Sequence, residues 1–388
     1  RFHLWKCRSL PSLVNSLFYQ LLFIYSLCLP SIKYFMIEYF YIPIIFYNER
    51  IIYKGTSMVC NLIKILITLS FTTSILYCAN ATRFNVVEGF AGEKFELALG
   101  ENFEKATGFS VSDTHKRIND AYAKRYGNRE HLDYDEAWDN NLDNLGFFAM
   151  SNDSRLNSIL KTAPQIAAFA PFNQLMYKKT KEDMTFIGHM DPETMLNIVG
   201  VEDIDIRQDF ISMFDPLDKW INEEFGGKVA IATYDSLPLK PMMNFEIEFD
   251  TEEDLSEYLE KFQEKFEFAF EDKKYIIAGF KNFKENYEDL GMEFNEYDAF
   301  FVYSLCHFTF SYNIFNKGRP DIGVFAPCSM YMYIKKDSNT MMIGMPKLSN
   351  WVAVMNITEI ENIESIEKMD SEIILIMKSL GAKEIKSL

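Results

Sequence analysis

The amino-acid sequence predicts an α+β fold in which one domain is present twice in tandem. Two observations support this prediction. A stretch of 25 residues that begins at Pro164 recurs without a gap at Pro320, 156 residues further along the chain. Around both occurrences, runs rich in β-branched and aromatic residues alternate with segments that have helical spacing. A period of this length indicates a duplicated domain, because the repeat units of solenoids are several times shorter.

The repeat is defined by ten identities in 25 aligned positions. Upstream of it, FFAMS at 147–151 corresponds to FFVYS at 300–304. The identical pairs are Pro164/Pro320, Ile166/Ile322, Phe169/Phe325, Ala170/Ala326, Pro171/Pro327, Met176/Met332, Tyr177/Tyr333, Lys179/Lys335, Ile187/Ile343 and Gly188/Gly344.

Each copy is predicted to begin with a strand and an acidic helix. The strand-like runs are 84–88 and 244–249, and the helical segments are 92–107 and 251–270. In the second helix, apolar residues recur at intervals of three and four and give one apolar face. These residues are Leu255, Tyr258, Leu259, Phe262 and Phe266.

Further strands and a short helix are expected in the second copy. The runs 275–280 and 298–305 are typical of strands, and a helix is expected around 313–316. The segments 324–336 and 340–345 flank a polar turn and predict a β-hairpin. Because Pro327 lacks a backbone donor, its position in the first of these strands predicts an edge strand or a bulge.

The first copy ends in a helical region. Asp191 is the expected N-cap and Pro192 the first helical residue. The region is predicted to end near Gly226 and Gly227, and the sequence DSLPLKP at 235–241 is typical of a linker.

Residues 58–81 are predicted to be a secretory signal peptide. A short basic region precedes the apolar run 65–77, and Ala79-Asn80-Ala81 forms an A-x-A cleavage site. We therefore expect a periplasmic or secreted protein that begins at Thr82. Lipidation of Cys78 has less support, because the tyrosine before it occupies a position that normally requires a small residue.

Residues 1–57 are interpreted as upstream sequence that does not belong to the mature protein. The alternative is a membrane anchor, since residues 9–32 carry no charge and are long enough to span a bilayer.

Charge excludes some classes of partner. The net charge is −17 for the whole chain and −22 from Thr82 onward. Nucleic acids and anionic membrane surfaces are therefore not expected as partners, because both attract clustered Lys and Arg. Beyond the cleavage site only Cys306 and Cys328 remain, which are too few for a disulfide framework. We expect two free, buried thiols, and the alternative is one disulfide between them.

The repeated motif resembles a known family. The stretches PDIGVFAPCSMYMYIKKDSNTMMIG at 320–344 and PQIAAFAPFNQLMYKKTKEDMTFIGHMDPETML at 164–196 resemble the DUF302 family, a small α/β domain of uncharacterised function. The resemblance implies a TATA-binding-protein-like β-α-β(sheet)-α arrangement, with helices on one face of an antiparallel sheet. It implies no DNA binding.

The resemblance covers nearly all of the chain beyond the signal peptide. It divides this part into a first domain at 82–234, a linker at 235–241 and a second domain at 242–388. The cysteine of the family motif is Cys328 in the second copy, whereas Phe172 takes its place in the first. Any thiol chemistry would therefore be limited to the second copy.

Six residues are candidates for binding a ligand. Pro171 and Pro327 begin equivalent strands, and Tyr177 and Tyr333 follow six residues later, on the same strand face as the prolines. The alternative is that both tyrosines are half-buried strand residues. Cys328 is the fifth candidate.

His189 is the sixth candidate, because it lies near Asp191 and Glu193 and an imidazole with a carboxylate can act as an acid–base pair. Its counterpart is Met345, so the two copies do not share this role, and a structural histidine is the alternative.

Two further clusters do not predict sites. The acidic run 130–139 lacks the spacing and the glycine of an EF-hand. Cys306 and His307 are neighbours on a predicted strand and are expected to face opposite ways. We predict no catalytic residues, no metal and no cofactor.

Two functions remain open at this stage. The first is a non-catalytic exported module in which the two copies pack as an intramolecular pseudo-dimer. A cleft would then bind a small apolar or aromatic ligand, or the module would bind a protein partner. The alternative is a thiol-dependent enzyme or redox protein that uses Cys328. The absence of a combined acid, base and nucleophile in the sequence favours the first.

Overall fold

The structure is a computed structural model that describes residues 78–89, 92–115, 141–250, 254–316 and 318–386. The segment 1–57, the predicted signal peptide up to residue 77 and the acidic run 130–139 lie outside the described residues. Both sheets described below belong to one compact unit of the chain.

The described residues form two six-stranded antiparallel sheets. The strands of the first sheet are β1 (Ala79–Glu88), β2 (Ser110–His115), β3 (Leu142–Ser151), β4 (Phe172–Lys179), β5 (Met184–Met190) and β6 (Lys228–Tyr234). Those of the second are β7 (Met242–Glu248), β8 (Tyr275–Asn282), β9 (Tyr297–His307), β10 (Cys328–Lys335), β11 (Thr340–Pro346) and β12 (Lys383–Ile385).

Helices connect these strands. The first copy contains α1 (Gly92–Ala98), α2 (Glu101–Thr107), α3 (Asp153–Thr162), α4 (Pro192–Val199), α5 (Ile204–Ser212) and α6 (Phe214–Phe225). The second contains α7 (Leu255–Asp272), α8 (Phe283–Asp289), α9 (Phe308–Asn316), α10 (Ser349–Val354) and α11 (Ile360–Ser379). A first 3₁₀ helix (Pro164–Phe169) precedes β4, and a second (Pro320–Phe325) precedes β10.

The two sheets have the same strand order. The first runs β2-β3-β4-β5-β1-β6, and the second runs β8-β9-β10-β11-β7-β12 when it is read in the same direction. The prediction of a tandem α+β fold is confirmed. Pro171 and Pro327 both follow a 3₁₀ helix and precede the third strand in this order, and Tyr177 and Tyr333 lie on that strand.

Each sheet packs its own helices on one face and the other copy on the opposite face. On β3, the Phe148 ring lies 5.0 Å from Phe95 of α1, whereas its neighbour Phe147 lies 5.7 Å from Phe315 of α9 in the second copy. Neighbouring strand residues point to opposite faces. The outer face of β3 is therefore covered by a helix of its own copy, and its inner face contacts α9 of the other copy.

The amphipathic pattern and the caps explain most of the helices. Asp254 caps α7 by accepting hydrogen bonds from the backbone N–H groups of Ser256 and Glu257. Asp191 caps α4 in the same way through Glu193, as predicted, and Pro192 is the first residue of that helix. The predicted helix at 92–107 is two helices, because the chain leaves helical geometry at Gly100.

Three strands were not predicted. All residues of β6 except Tyr234 are exposed, so this strand lacks the alternation of apolar and polar residues that marks a half-buried strand. Strand β2 is polar, and β12 has only three residues. The segment 235–241 contains neither helix nor strand.

The expectation of an edge strand at Pro327 is wrong. The proline precedes β10, so no hydrogen bond of the sheet is lost, and β10 lies inside the sheet between β9 and β11. The Ala170-Pro171 and Ala326-Pro327 peptide bonds are both cis.

The repeated motif forms the contact between the copies. The first 3₁₀ helix packs against β10 and β11 of the second copy, and the second packs against β4 and β5 of the first. The approach is close at Gly323, where a Cβ atom would lie 2.9 Å from Phe147 and 3.0 Å from Leu175. Among the described helices, none has the length and apolar character that crossing a bilayer requires.

Candidate functional site

A cleft of about 350 Å³ lies between the two copies. Pro171 of the first copy and Pro327 of the second both line it. We call it the central cleft. Its other lining residues are Ser110, Ser112, Phe147, Ala149, Asp153, Ala278, Gly279, Phe280, Lys281, Asn286, Val302 and Ser304. Strands β3 and β9, which are equivalent in the two sheets, thus supply facing walls.

An ion pair between the copies forms one side of the central cleft. Lys281 at the end of β8 binds both carboxylate oxygens of Asp153 at the start of α3, with Nζ–O distances of 2.6 and 2.9 Å. Lys281 also donates to Ser151 Oγ at 2.7 Å, and Asn286 donates to Asp153 Oδ2 at 3.2 Å. The residues come from four elements, so the cleft exists only when both copies are folded and joined.

The two charges of this pair largely neutralise each other. The Lys281 and Asp153 side chains retain 12% and 16% of their exposure. Burial lowers the pKa of the Lys281 amine, and the Asp153 carboxylate opposes this effect. The ammonium also lies 5.0 Å from the centroid of the Phe283 ring. A ligand in the central cleft therefore contacts a neutral ion pair rather than an isolated charge.

Hydroxyl groups supply the remaining polar surface. Ser110 and Ser112 on β2 donate to the carbonyl oxygens of Ser151 and Ala149 at 3.3 and 3.2 Å. Ser304 on β9 is buried at the opposite wall. These hydroxyls retain acceptor positions that a ligand's donor can use.

The central cleft continues into a narrow extension of about 30 Å³. Both prolines, Cys328 and Trp351 line it. Asn173 links the two copies beside this extension. Its Nδ2 donates to Gly323 O of the other copy at 2.6 Å, and its Oδ1 accepts from Phe148 N at 3.1 Å. Three of the six candidates, Pro171, Pro327 and Cys328, thus lie along one continuous space.

The candidate tyrosines do not line this space. Tyr177 is buried and stacks on Phe186, with ring centroids 4.7 Å apart and planes 4° apart. Tyr333 is buried beside Tyr297 and Phe300. Burial raises the pKa of both phenols. The structure places both tyrosines within the packed core.

His189 does not line it either. The imidazole is buried; its Nδ1 lies 2.7 Å from Met190 O and its Nε2 lies 3.1 Å from Asp218 Oδ1. Arg83 pairs with the same Asp218 oxygen at 3.0 Å. The carboxylate that His189 contacts belongs to Asp218 on α6. The predicted partners, Asp191 and Glu193, were chosen because they are close in the sequence.

A small cavity of about 20 Å³ brings both thiols to one place. Cys306, His307 and Cys328 all line it. Strand β9 ends at His307, and the chain turns there into α9. His307 Nδ1 accepts the backbone N–H of Phe310 at 3.3 Å.

The environment of these groups does not favour nucleophilic chemistry. Cys306 and Cys328 are thiols, and both are partly buried. Burial raises the pKa of the Cys328 thiol, and burial lowers the pKa of His307. A thiol with a raised pKa is protonated at neutral pH and is therefore a weak nucleophile. Within the described part of the chain, no group of three or more His, Cys, Asp or Glu side chains is placed to hold a metal ion.

Sequence analysis missed the polar side of the central cleft. Lys281 and Asp153 lie 128 residues apart and belong to no motif. Asn286 lies in the charged segment FKENYED, and Ser110 and Ser112 lie in the polar segment SVSDTH, so none of them stands out from its neighbours. The repeat marked the paired prolines and the two segments 147–151 and 300–304, which also contribute to the lining.

Comparison with known proteins gives a resemblance and no activity. No family model matches the sequence, and no curated protein matches it. Among solved structures, the chain is similar to the crystal structure of an uncharacterized conserved protein DUF302 from Bacillus stearothermophilus, with 18% sequence identity and a TM-score of 0.28. The similarity covers 35% of this chain and 95% of that chain. DUF302 is the family that the repeated motif resembles.

Proposed function

We propose that the protein is an exported, non-catalytic module that binds a small ligand in the central cleft. One observation carries this proposal. Pro171 and Pro327, equivalent residues of the two copies, line the same cleft of about 350 Å³. A volume of this size is within the range of small-molecule sites, and such sites commonly lie at domain interfaces.

The lining indicates an uncharged ligand with an apolar or aromatic part. Phe147, Phe280 and Val302 join the two prolines to give an apolar surface. Because Lys281 is already paired with Asp153, a charged ligand would have to compete with that pair. The hydroxyls of Ser110, Ser112 and Ser304 are suited to orient one polar group.

The alternative function, thiol chemistry at Cys328, has less support. The sulfur lines only the narrow extension and the small thiol cavity, and burial raises its pKa. A catalytic cysteine needs a nearby group that stabilises the thiolate. The nearby imidazole of His307 accepts a hydrogen bond from Phe310 N at its Nδ1. Its pKa is lowered, so it is not a cation at neutral pH.

Export is the second part of the proposal. It is supported by the basic region, the apolar run and the A-x-A site that end at Ala81. The localisation that follows is the periplasm or the medium. Fractionation of the native host should recover the protein there, whereas recovery with the membrane would favour the anchor alternative for residues 1–57.

Binding is tested by filling the central cleft. Ala149→Leu places three additional carbon atoms in the wall of the cleft, and Ala230→Leu makes the same change on the exposed strand β6. The probe is the uncharged fluorophore N-phenylnaphthylamine, with its emission measured against protein concentration. We expect the native chain and the β6 variant to bind the probe equally, and the cleft variant to lose at least tenfold in affinity.

The result that would overturn the proposal is equal binding by all three chains, since the probe would then occupy another surface. Absence of any probe binding by the native chain would overturn the apolar assignment of the ligand. Native mass spectrometry of protein isolated from its host would identify a ligand that is retained.

A further inference from the structure

Two serine hydroxyls in the narrow extension of the central cleft are not used by the fold. Ser304 on β9 and Ser329 on β10 both line the extension, and each residue is 6% exposed. Among the described residues neither hydroxyl has a hydrogen-bond partner, and neither is sealed from solvent. A group that enters the extension therefore reaches both hydroxyls.

The two serines lie side by side on neighbouring strands. Ser304 and Ser329 are partners in the register of β9 and β10, so their side chains point to the same face of the sheet. The Cβ atoms of such cross-strand partners lie about 5 Å apart. One oxygen atom placed above the pair can therefore form hydrogen bonds with both hydroxyls.

The equivalent pair in the first copy is already satisfied. Ala149 and Asn173 are register partners on β3 and β4, and Asn173 is equivalent to Ser329 in the repeat. Asn173 reaches across to Gly323 O of the other copy and also binds Phe148 N, whereas the side chain of Ala149 is apolar. Within the described chain Ser329, which has the shorter side chain, makes no such link. Its hydroxyl is therefore available to a ligand.

The narrow extension has room for one small group. Its volume of about 30 Å³ equals the share of one molecule in liquid water. Phe169, Phe325 and Trp351 lie around this space, and no charged side chain is present among the described residues that line it. A charge placed there would lack a counter-charge, and burial of an unpaired charge is costly. The space is therefore suited to a neutral group with a single oxygen atom.

The central cleft and the narrow extension can hold two parts of one molecule. Pro171, Pro327 and Ser304 line both spaces, so the two are continuous. The wider part is bounded by apolar side chains that include Phe147 and Val302. An apolar ring in the cleft would thus lie beside a polar end in the extension.

We propose that the ligand of the central cleft is a neutral aromatic compound with a hydroxyl group, and that this hydroxyl enters the narrow extension. It donates to one of Ser304 and Ser329 and accepts from the other, because a hydroxyl has both a donor and acceptor positions. This assignment rests on the function proposed for the central cleft and specifies the class of its ligand.

The test compares three probes that share a naphthalene ring. 2-Naphthol has a hydroxyl that is neutral at neutral pH, 2-methylnaphthalene has a methyl group of similar size in its place, and 2-methoxynaphthalene has an oxygen that carries an additional methyl group. Equilibrium dialysis against the full chain measures the affinity of each probe. We expect 2-naphthol to bind about tenfold more tightly than the other two, because only its hydroxyl both fits the extension and bonds to the two serines.

Two variants assign this preference to the serines. Ser304→Ala and Ser329→Ala should each weaken the binding of 2-naphthol about fivefold and leave the binding of 2-methylnaphthalene unchanged. Because neither hydroxyl is bonded in the described structure, both variants should keep the native melting temperature, which separates a loss of binding from a loss of folding. The control is Ser371→Ala on α11, where an exposed serine lines neither space, and its affinities should equal those of the native chain.

The outcomes distinguish this proposal from the function on which it rests. Equal affinity for the three probes would overturn the hydroxyl assignment and would leave binding in the central cleft intact. A preference for 2-naphthol that persists in both serine variants would also overturn the assignment, because the hydroxyl would then bind elsewhere. Binding of none of the probes would contradict both the ligand class and the proposed function.

Discussion

Lys281 Nζ of the second copy lies 2.6 Å from Asp153 Oδ1 of the first, and the pair joins the two copies at the side of the central cleft. Asp153 also accepts from Asn286, and Lys281 also donates to Ser151. Both charges are thus satisfied by groups from the two copies. Loss of either partner would leave the other buried without compensation.

The first prediction follows from this pair. Asp153→Asn should lower the free energy of unfolding by about 3 kcal/mol, because a buried charge that loses its partner is strongly destabilising. Urea denaturation followed by circular dichroism measures the change. The control is Glu288→Gln, which removes an exposed partner of Lys284 and should cost at most about 0.5 kcal/mol. Equal effects of the two variants would show that the Asp153 pair has no special role.

The repeat made the fold predictable, because equivalent residues had to occupy equivalent places. Pro171 and Pro327, and likewise Tyr177 and Tyr333, lie where the alignment put them. The amphipathic spacing located α7, and the Asp-Pro pair located the start of α4. Strand β6 could not be found in this way, because it is exposed on both faces and its sequence therefore carries no alternation.

The sites were less predictable, because they depend on contacts between distant segments. Nothing near His189 in the sequence identifies Asp218 as its partner, and nothing near Lys281 identifies Asp153. The edge assignment for Pro327 failed for a local reason. The 3₁₀ helix before Pro327 ends so that β10 begins one residue after the proline. The missing N–H of the proline therefore removes no hydrogen bond between strands.

The second prediction concerns acid stability. Burial lowers the pKa of His307 below its usual 6.5, although Glu372 opposes this and Lys274 and Lys368 add to it. Between the lowered pKa and 6.5 the unfolded chain binds more protons than the folded chain, so stability is lost as the pH falls through this window. Protonation of Nδ1 would also remove the acceptor of Phe310 N.

His307→Asn tests this prediction, because an amide oxygen can accept the same hydrogen bond and does not titrate. Urea denaturation at a series of pH values from neutral to mildly acidic should give a shallower loss of stability for the variant than for the native chain. Identical pH profiles would show that another group causes the acid sensitivity.

The third prediction concerns the thiols. Because Cys306 and Cys328 are partly buried thiols and burial raises the pKa of Cys328, iodoacetamide should modify both slowly at neutral pH and completely in denaturant. Peptide mapping by mass spectrometry measures each site. The control is the same chain in denaturant, in which both thiols are exposed. Rapid labelling of Cys328 in the folded chain would instead favour the thiol-dependent alternative, and a peptide mass lower by a disulfide would contradict the free thiols.

The fourth prediction tests the contact between the copies. Gly323→Ala should destabilise the protein by about 2 kcal/mol, because the added methyl group meets Phe147 and Leu175 at distances shorter than van der Waals contact. Differential scanning calorimetry measures the change in melting temperature. In Gly100→Ala the new Cβ meets no atom within 4 Å, and the effect should stay below about 1 kcal/mol. Tolerance of alanine at Gly323 would mean that the copies do not pack as closely as described.

The last prediction concerns the residue at which the chain begins if it is exported as proposed. We expect Thr82 as the first residue, yet the structure includes Ala79–Glu88 in β1. Asn80 O accepts from the Thr194 hydroxyl, and Ala81 O accepts from Asp191 N at 3.0 Å. A chain that begins at Thr82 lacks both acceptors, so it should be less stable than one that begins at Ala79 by about 2 kcal/mol, at roughly 1 kcal/mol for each lost hydrogen bond.

N-terminal sequencing of protein from the native host determines the first residue, and urea denaturation of the two purified chains measures the difference in stability. A native protein that begins at or before Ala79 would show that cleavage does not occur after Ala81. It would also show that the whole of β1 belongs to the mature fold, because its first residues then remain paired with Tyr234 and Thr233 of β6.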